Sequence, residues 1–174
     1  MKLKSIKNEI KRTVHGAKIS DCGLYRYVLW RVWKREKPTV MFIMLNPSTA
    51  DASKDDPTIR RCINFAVDQG YGGMCVCNLF AYRATKFKVL KSTPYNPIST
   101  IGPENDNYIF LYSRAVDTIV CAWGNHGHYL DRAKDVVEQL ELLNTTPYCL
   151  GVTNSNEPKH PLYLRKDTRF MKYC

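Results

Sequence analysis

An α/β fold in three layers, αβα, is what the sequence predicts, with a central four-stranded, mostly parallel sheet and an N-terminal antiparallel β-hairpin. Two patterns carry that expectation. Four apolar runs too short for helices, Thr39 to Leu45, Met74 to Leu79, Thr118 to Trp123 and Tyr148 to Val152, read as strands buried on both faces. Segments with helical spacing lie between them, and such alternation implies parallel strands joined by right-handed crossovers. The length of 174 residues fits a single domain, 1–174, with the arm and hairpin of residues 1–37 packed on the core.

Residues 12–35 carry many β-formers, among them Leu24, Tyr25, Tyr27, Val28, Trp30 and Val32, and predict two antiparallel strands turning near Asp21-Cys22-Gly23. The first buried strand ends in Asn46-Pro47-Ser48. Pro47 biases Asn46 toward extended backbone, so that its amide leaves the strand in a defined direction. A helix follows over Pro57 to Gln69, with Asp56 as N-cap, Pro57 in the first helical position, and Ile59, Ile63 and Phe65 to Val67 as its apolar side. The turn Gly70-Tyr71-Gly72-Gly73 leads into the second strand. Residues 81–102, with Pro94 and Pro97, read as irregular. Pro103 opens a helix to about Arg114, and the third strand ends in Gly124-Asn125. Ala133, Val136, Val137 and Leu140 then give a helix over Tyr129 to Leu143, ahead of the fourth strand.

Composition narrows the function classes. With 44% hydrophobic and 24% charged residues the chain is of globular type. No apolar run is long enough to cross a bilayer, and the basic N-terminus lacks a following apolar signal core, so a cytoplasmic protein without a membrane partner is expected. The seven cysteines, Cys22, Cys62, Cys75, Cys77, Cys121, Cys149 and Cys174, form no C-x-x-C pair and several lie in apolar runs, so most of them read as reduced core thiols. No metal and no cofactor are expected. The net charge of +10 attracts polyanions. Basic residues gather at Lys2, Lys4, Lys7, Lys11 and Arg12, at Arg31, Lys34 and Arg35, between Arg83 and Lys91, and at Lys159, Arg165, Lys166, Arg169 and Lys172, which points to nucleic acid, DNA foremost, bound by a monomer. A basic surface with no dedicated partner is the alternative.

Ligands of open α/β sheets bind outside the carboxyl ends of the strands. Asn46, Asn78, Gly124-Asn125-His126 and the stretch reaching His160 all stand at such ends. Each also has a plain structural use: strand-terminal Asn closes turns, and His126 and His128 read as solvent-facing. Asp51, Asp55 and Asp56 could hold a cation, but a cap and ion pairs with Arg60 and Arg61 explain them more simply.

Four stretches, Leu45-Asn46-Pro47-Ser48, Cys77-Asn78-Leu79-Phe80-Ala81-Tyr82-Arg83, Ile119 to Gly124 and Lys159-His160-Pro161-Leu162-Tyr163-Leu164-Arg165, stand in an order that resembles the uracil-DNA glycosylase superfamily. The chain also resembles a group of uncharacterised bacterial and phage proteins marked by Asn-Pro-Ser-Thr-Ala-Asp and Asp-Asp-Pro-Thr-Ile-Arg-Arg-Cys. The first resemblance implies hydrolysis of the N-glycosidic bond of a damaged or modified base flipped from DNA. It makes Asn46 the residue that positions water, His160 the donor to the leaving base and Asn78 the reader of the base edge. Ser48, Phe80 and Tyr82 would complete the base pocket; Leu162, Tyr163 and Leu164 would form a wedge, and Arg83, Lys159 and Arg165 would meet phosphates. Leu45 and Ser48 depart from the residues usual beside the Asn-Pro pair, and Leu162 stands where Ser is usual. A hydrolase or transferase for a free nucleotide or nucleoside, and an inactive nucleic-acid-binding module, remain open as alternatives.

Overall fold

A computed structural model describes residues 14–48, 50–92 and 97–173. The basic arm, Pro94 and Cys174 lie outside the described residues. One mixed, seven-stranded sheet runs through the molecule in the order β1-β2-β4-β3-β5-β6-β7. Its strands are β1 (His15–Ile19), β2 (Arg26–Val32), β3 (Thr39–Met44), β4 (Gly73–Asn78), β5 (Thr118–Cys121), β6 (Tyr148–Cys149) and β7 (Met171–Lys172). Neighbours among β4, β3, β5 and β6 pair in parallel. Those are the four runs expected as buried strands.

Side chains alternate along these strands, so that the sheet divides one core into two. Val40, Phe42 and Met44 with Met74, Val76, Val120 and Ala122 pack against Ile59, Cys62, Phe65 and Ala66 of helix α1 (Pro57–Asp68). The intervening residues, Met41, Ile43, Cys75, Cys77, Ile119 and Cys121, pack on the other face against helices α3 (Asn105–Ser113) and α4 (Arg132–Leu142). Among the described residues five cysteines are buried and Cys22 is exposed, all as free thiols. Asp56 caps α1, its Oδ1 accepting the Ile59 N–H at 2.8 Å, and Pro57 follows it.

The structure corrects several expectations. The sheet has seven strands rather than four: the hairpin packs on the core by extending the sheet, with β2 antiparallel to β4, all seven of its residues buried and Val28, Trp30 and Val32 within the core. Without it β4 would present an unpaired edge. At the other side β7, not foreseen, pairs antiparallel with β6. The fourth strand shortens to Tyr148–Cys149, and Val152 instead bridges Pro158. Residues 81–102 include the short helix α2 (Phe87–Lys91) and a 3-10 turn over Pro97–Thr100. Helix α4 starts at Arg132 because Leu130 and Asp131 take left-handed backbone, φ 55° and 57°. The Asp55 carboxylate pairs with Arg31 at 2.7 Å, while Arg60 reaches only the Asp55 backbone carbonyl, at 2.6 Å, and Arg61 bonds Leu164 O. Asp51 closes a tight turn, accepting from the backbone N–H of Ser53 and Lys54 at 2.8 Å each. No helix among the described residues is long and apolar enough to cross a membrane.

Candidate functional site

From β3 the chain crosses through α1 to β4 on one side, and later enters β5 on the other, so the strand order reverses at β3. A crevice forms at the carboxyl ends beside such a reversal. Here it is a cavity of about 860 Å³, lined from three strand ends by Asn46, Asn78 and Trp123, and from a later loop by His160. That volume lies in the range of small-molecule sites, about 300–1,000 Å³.

Asn46 is fixed by its amide nitrogen. Its Nδ2 donates to the carbonyls of Ala84 at 2.6 Å and Pro47 at 3.2 Å, which leaves Oδ1 as an acceptor. Asn78 is 1% exposed, and its Nδ2 is a buried donor without a partner among the described residues. Its backbone carbonyl is held by Asn105 Nδ2 at 2.9 Å, which secures the strand end. His160 follows a segment tied down just upstream of it: the Gly124 N–H donates to Pro158 O, and the Lys159 N–H to Gly151 O, each at 2.8 Å. Its Nδ1 accepts the Leu162 N–H at 3.3 Å, so the neutral ring carries its proton on Nε2. Burial lowers the pKa of His160, and Asp56 partly offsets that shift.

Around these stand further groups; His126, at a strand end, and Asp56, at the α1 cap, are marked in the sequence, but nothing there signals Phe87 or Arg26. Phe87 stacks on His126, ring centroids 4.0 Å apart and planes 8° from parallel, and both line the cavity. Trp123 donates from Nε1 to Glu157 Oε2 at 2.6 Å, and Gly127 lets the indole lie close: a Cβ there would fall 2.2 Å from Trp123 Cδ1. Arg26, 2% exposed, reaches the cavity from the start of β2. A register shift puts it there: Lys18 faces Val28 but Ile19 faces Arg26, so Tyr27 is an extra residue and the bulge turns Arg26 to the α1 face. Asp56 also lines the cavity while its Oδ1 caps α1.

The model of one protein family, described as a protein of unknown function (DUF1643), matches residues 26–162. The chain belongs to DUF1643. No curated protein and no solved structure matches it. The matched span of this DUF1643 protein opens at Arg26 and contains every cavity-lining residue except Tyr163 and Leu164.

Of the residues singled out in this DUF1643 sequence, Asn46, Ser48, Asn78, Lys159, His160, Leu162 and Tyr163 line the one cavity. Leu162 and Tyr163 are on a 3-10 turn, Pro161–Tyr163, at its rim, and Tyr163 is 86% exposed. The following Leu164 is anchored through its carbonyl by Arg61 of α1 and packs on the core. Four residues stand elsewhere. Phe80 has no exposed surface and packs on Tyr129, which excludes it from stacking on a base. Tyr82 meets the edge of Tyr25 and is not in the lining. Arg83 donates to Gly23 O at 3.1 Å and borders a separate, smaller hollow with Ser48. Arg165 is exposed and paired with Asp167 at 3.0 Å. Among the described residues no three His, Cys, Asp or Glu side chains form a metal-binding group.

Proposed function

We propose that the protein is a DNA glycosylase-like hydrolase, resembling the uracil-DNA glycosylase superfamily, that cleaves the N-glycosidic bond of a damaged or modified base flipped out of DNA. The observation that carries the reading is the meeting of Asn46, Asn78 and His160, 114 positions apart at the extremes, in one cavity at the carboxyl edge of the sheet.

In this reading the bond between C1′ and the base nitrogen breaks with its electron pair going to the base, and a water oxygen bonds to the cationic sugar carbon. An amide takes no proton at neutral pH, so Asn46 acts by orienting that water through Oδ1, and the water's proton passes to solvent. His160 holds the departing base by a hydrogen bond from Nε2–H. Asn78 offers its buried amide to the base edge, and the Phe87 ring supplies an apolar wall. Leu162 and Tyr163, exposed at the rim, fill the place a flipped nucleotide leaves in the stack. The phosphates meet Lys159 and the basic surface around it.

The test is a set of duplexes carrying uracil, hydroxymethylated and other modified bases, treated with alkali after incubation. Strand scission at one of these bases is expected. Asn46→Ala is expected to lower turnover by about 10²–10³-fold, the cost of losing one oriented polar group, while DNA affinity stays. DNA binding without scission on any substrate would replace this reading with that of a binding module.

A further inference from the structure

β2 carries two arginines, and their surroundings differ. Arg31 is matched: Asp55 lies at 2.7 Å, and the carbonyls of Trp30 and Asp51 accept from it at 2.8 and 2.9 Å. Arg26 donates from Nη1 to the carbonyl of Ala50 at 2.8 Å, and among the described residues no carboxylate forms an ion pair with it. Its buried Nε has no hydrogen-bond partner among the described residues. Asp56 is the acidic group that acts on it through space, but the Oδ1 of that carboxylate is engaged by the α1 cap, while Arg83 and Arg31 add positive charge. Burial holds the Arg26 guanidinium down to about 10, still charged at neutral pH.

A buried cation without a bonded counter-charge is costly, and an anion completes it. The bulge at Tyr27 is what brings this cation into the same cavity as Asn78, whose Nδ2 is the second unpaired buried donor there. Two orphan donors, one of them charged, make a floor suited to negative oxygen.

We propose that Arg26 is the anion receptor of the cavity, a catalytic residue that takes the negative charge appearing on the base as the glycosidic bond breaks. The inference rests on the glycosidic reading above and deepens it: as C1′–N cleaves, the electron pair enters the ring and spreads to the exocyclic oxygen nearest Arg26, and the sugar carbon takes the water oxygen. A fixed guanidinium in a site shielded from water stabilises that charge without reorganising. Bases that leave as oxyanions are therefore favoured over bases of equal size that do not.

Calorimetric titration of the full chain with two free bases reads this directly: 5-nitrouracil, ionised at neutral pH, and uracil, neutral there. The wild type is expected to bind the ionised base at least about 10-fold more tightly, by the strength of a charge-assisted bond over a neutral one. Arg26→Gln removes the preference, and Arg26→Lys, which keeps the charge without the guanidinium fork, retains part of it. Equal binding of the two bases by the wild type, no saturable binding of either, or an undiminished preference in Arg26→Gln overturns the inference. If Arg26→Gln fails to fold, Arg26→Lys decides, and a preference unchanged in it overturns the inference. Scission assays separate the two readings: a charge preference without scission on any duplex overturns the glycosidic reading and with it the catalytic role, leaving Arg26 as an anion receptor only, and scission unaffected by Arg26→Gln overturns the role of Arg26 alone.

Discussion

His160 enters the cavity as a neutral ring, because the Leu162 N–H occupies Nδ1 and burial disfavours the charged form. His126, stacked on Phe87, is shifted the same way, with desolvation first, then the nearby charges of His128 and Lys91. Both histidines thus bind protons less readily folded than unfolded. The stability tied to them is fully present above the ordinary value of 6.5 and is lost as pH falls through the window below it. Urea midpoints measured from about pH 7.5 to about pH 5.5 are expected to decline, and His160→Gln to flatten part of that decline. The same residue shows what could be read early and what could not. Asn46 and His160 each neighbour a proline at the end of a predicted strand or in a stiffened loop, a local signal. Arg26 carries none, since its place in the cavity depends on a register shift between β1 and β2 that only the folded pairing creates.

At the scale of elements, the loop after β5 is held by one close approach. Gly127 lies against the Trp123 indole, whose Nε1 is bonded to Glu157 in the turn before His160. Gly127→Ala forces a methyl group into that ring. The expected cost is about 1–3 kcal/mol, the usual effect of overpacking, with a changed Trp fluorescence maximum as the Trp123–Glu157 bond is lost; chemical denaturation followed by fluorescence reads both. The strands were legible because a parallel sheet buried on both faces writes continuous apolar runs. Helix starts were less so. The apolar spacing of α4 reveals its buried face but not the left-handed turn at Leu130 and Asp131, which delays the helix to Arg132. Arg132 itself bonds Asp106 at 2.6 Å and Leu79 O at 3.2 Å, contacts between segments that no local pattern announces. Phe80 illustrates the converse: the resemblance offers it, with Tyr82, as a ring of the base pocket, while its side chain is turned into the core, and the ring at the cavity is Phe87.

For the molecule as a whole, the net charge of +10 governs association with polyanions. If DNA is the partner proposed here, log affinity falls linearly with log salt, with a slope of about −0.9 for each phosphate neutralised. Lys159, exposed at the cavity, is expected to account for one such phosphate: in a salt series followed by fluorescence anisotropy, Lys159→Ala reduces the slope by about 1, equally for all duplex sequences. A slope unchanged by that substitution would place the backbone contact elsewhere on the basic surface. The reversal of strand order at β3 sets which ends of the sheet can cooperate, and it follows from connectivity alone: one crossover runs from β3 to β4 on one side, and the next returns from β4 to β5 on the other.

The C-terminal segment has a mechanical consequence. Past the rim turn, Arg169 donates to Asp68 O at 2.9 Å and the Phe170 N–H donates to Gln69 Oε1, also at 2.9 Å, before β7 joins the sheet. With Pro158 bonded to Gly124 upstream, the stretch carrying Leu162 and Tyr163 is a span fastened at both piers. It works as a sill rather than a door. On the function proposed above, the outline of the entrance stands before the nucleotide arrives, and the deformation that admits it falls on the DNA.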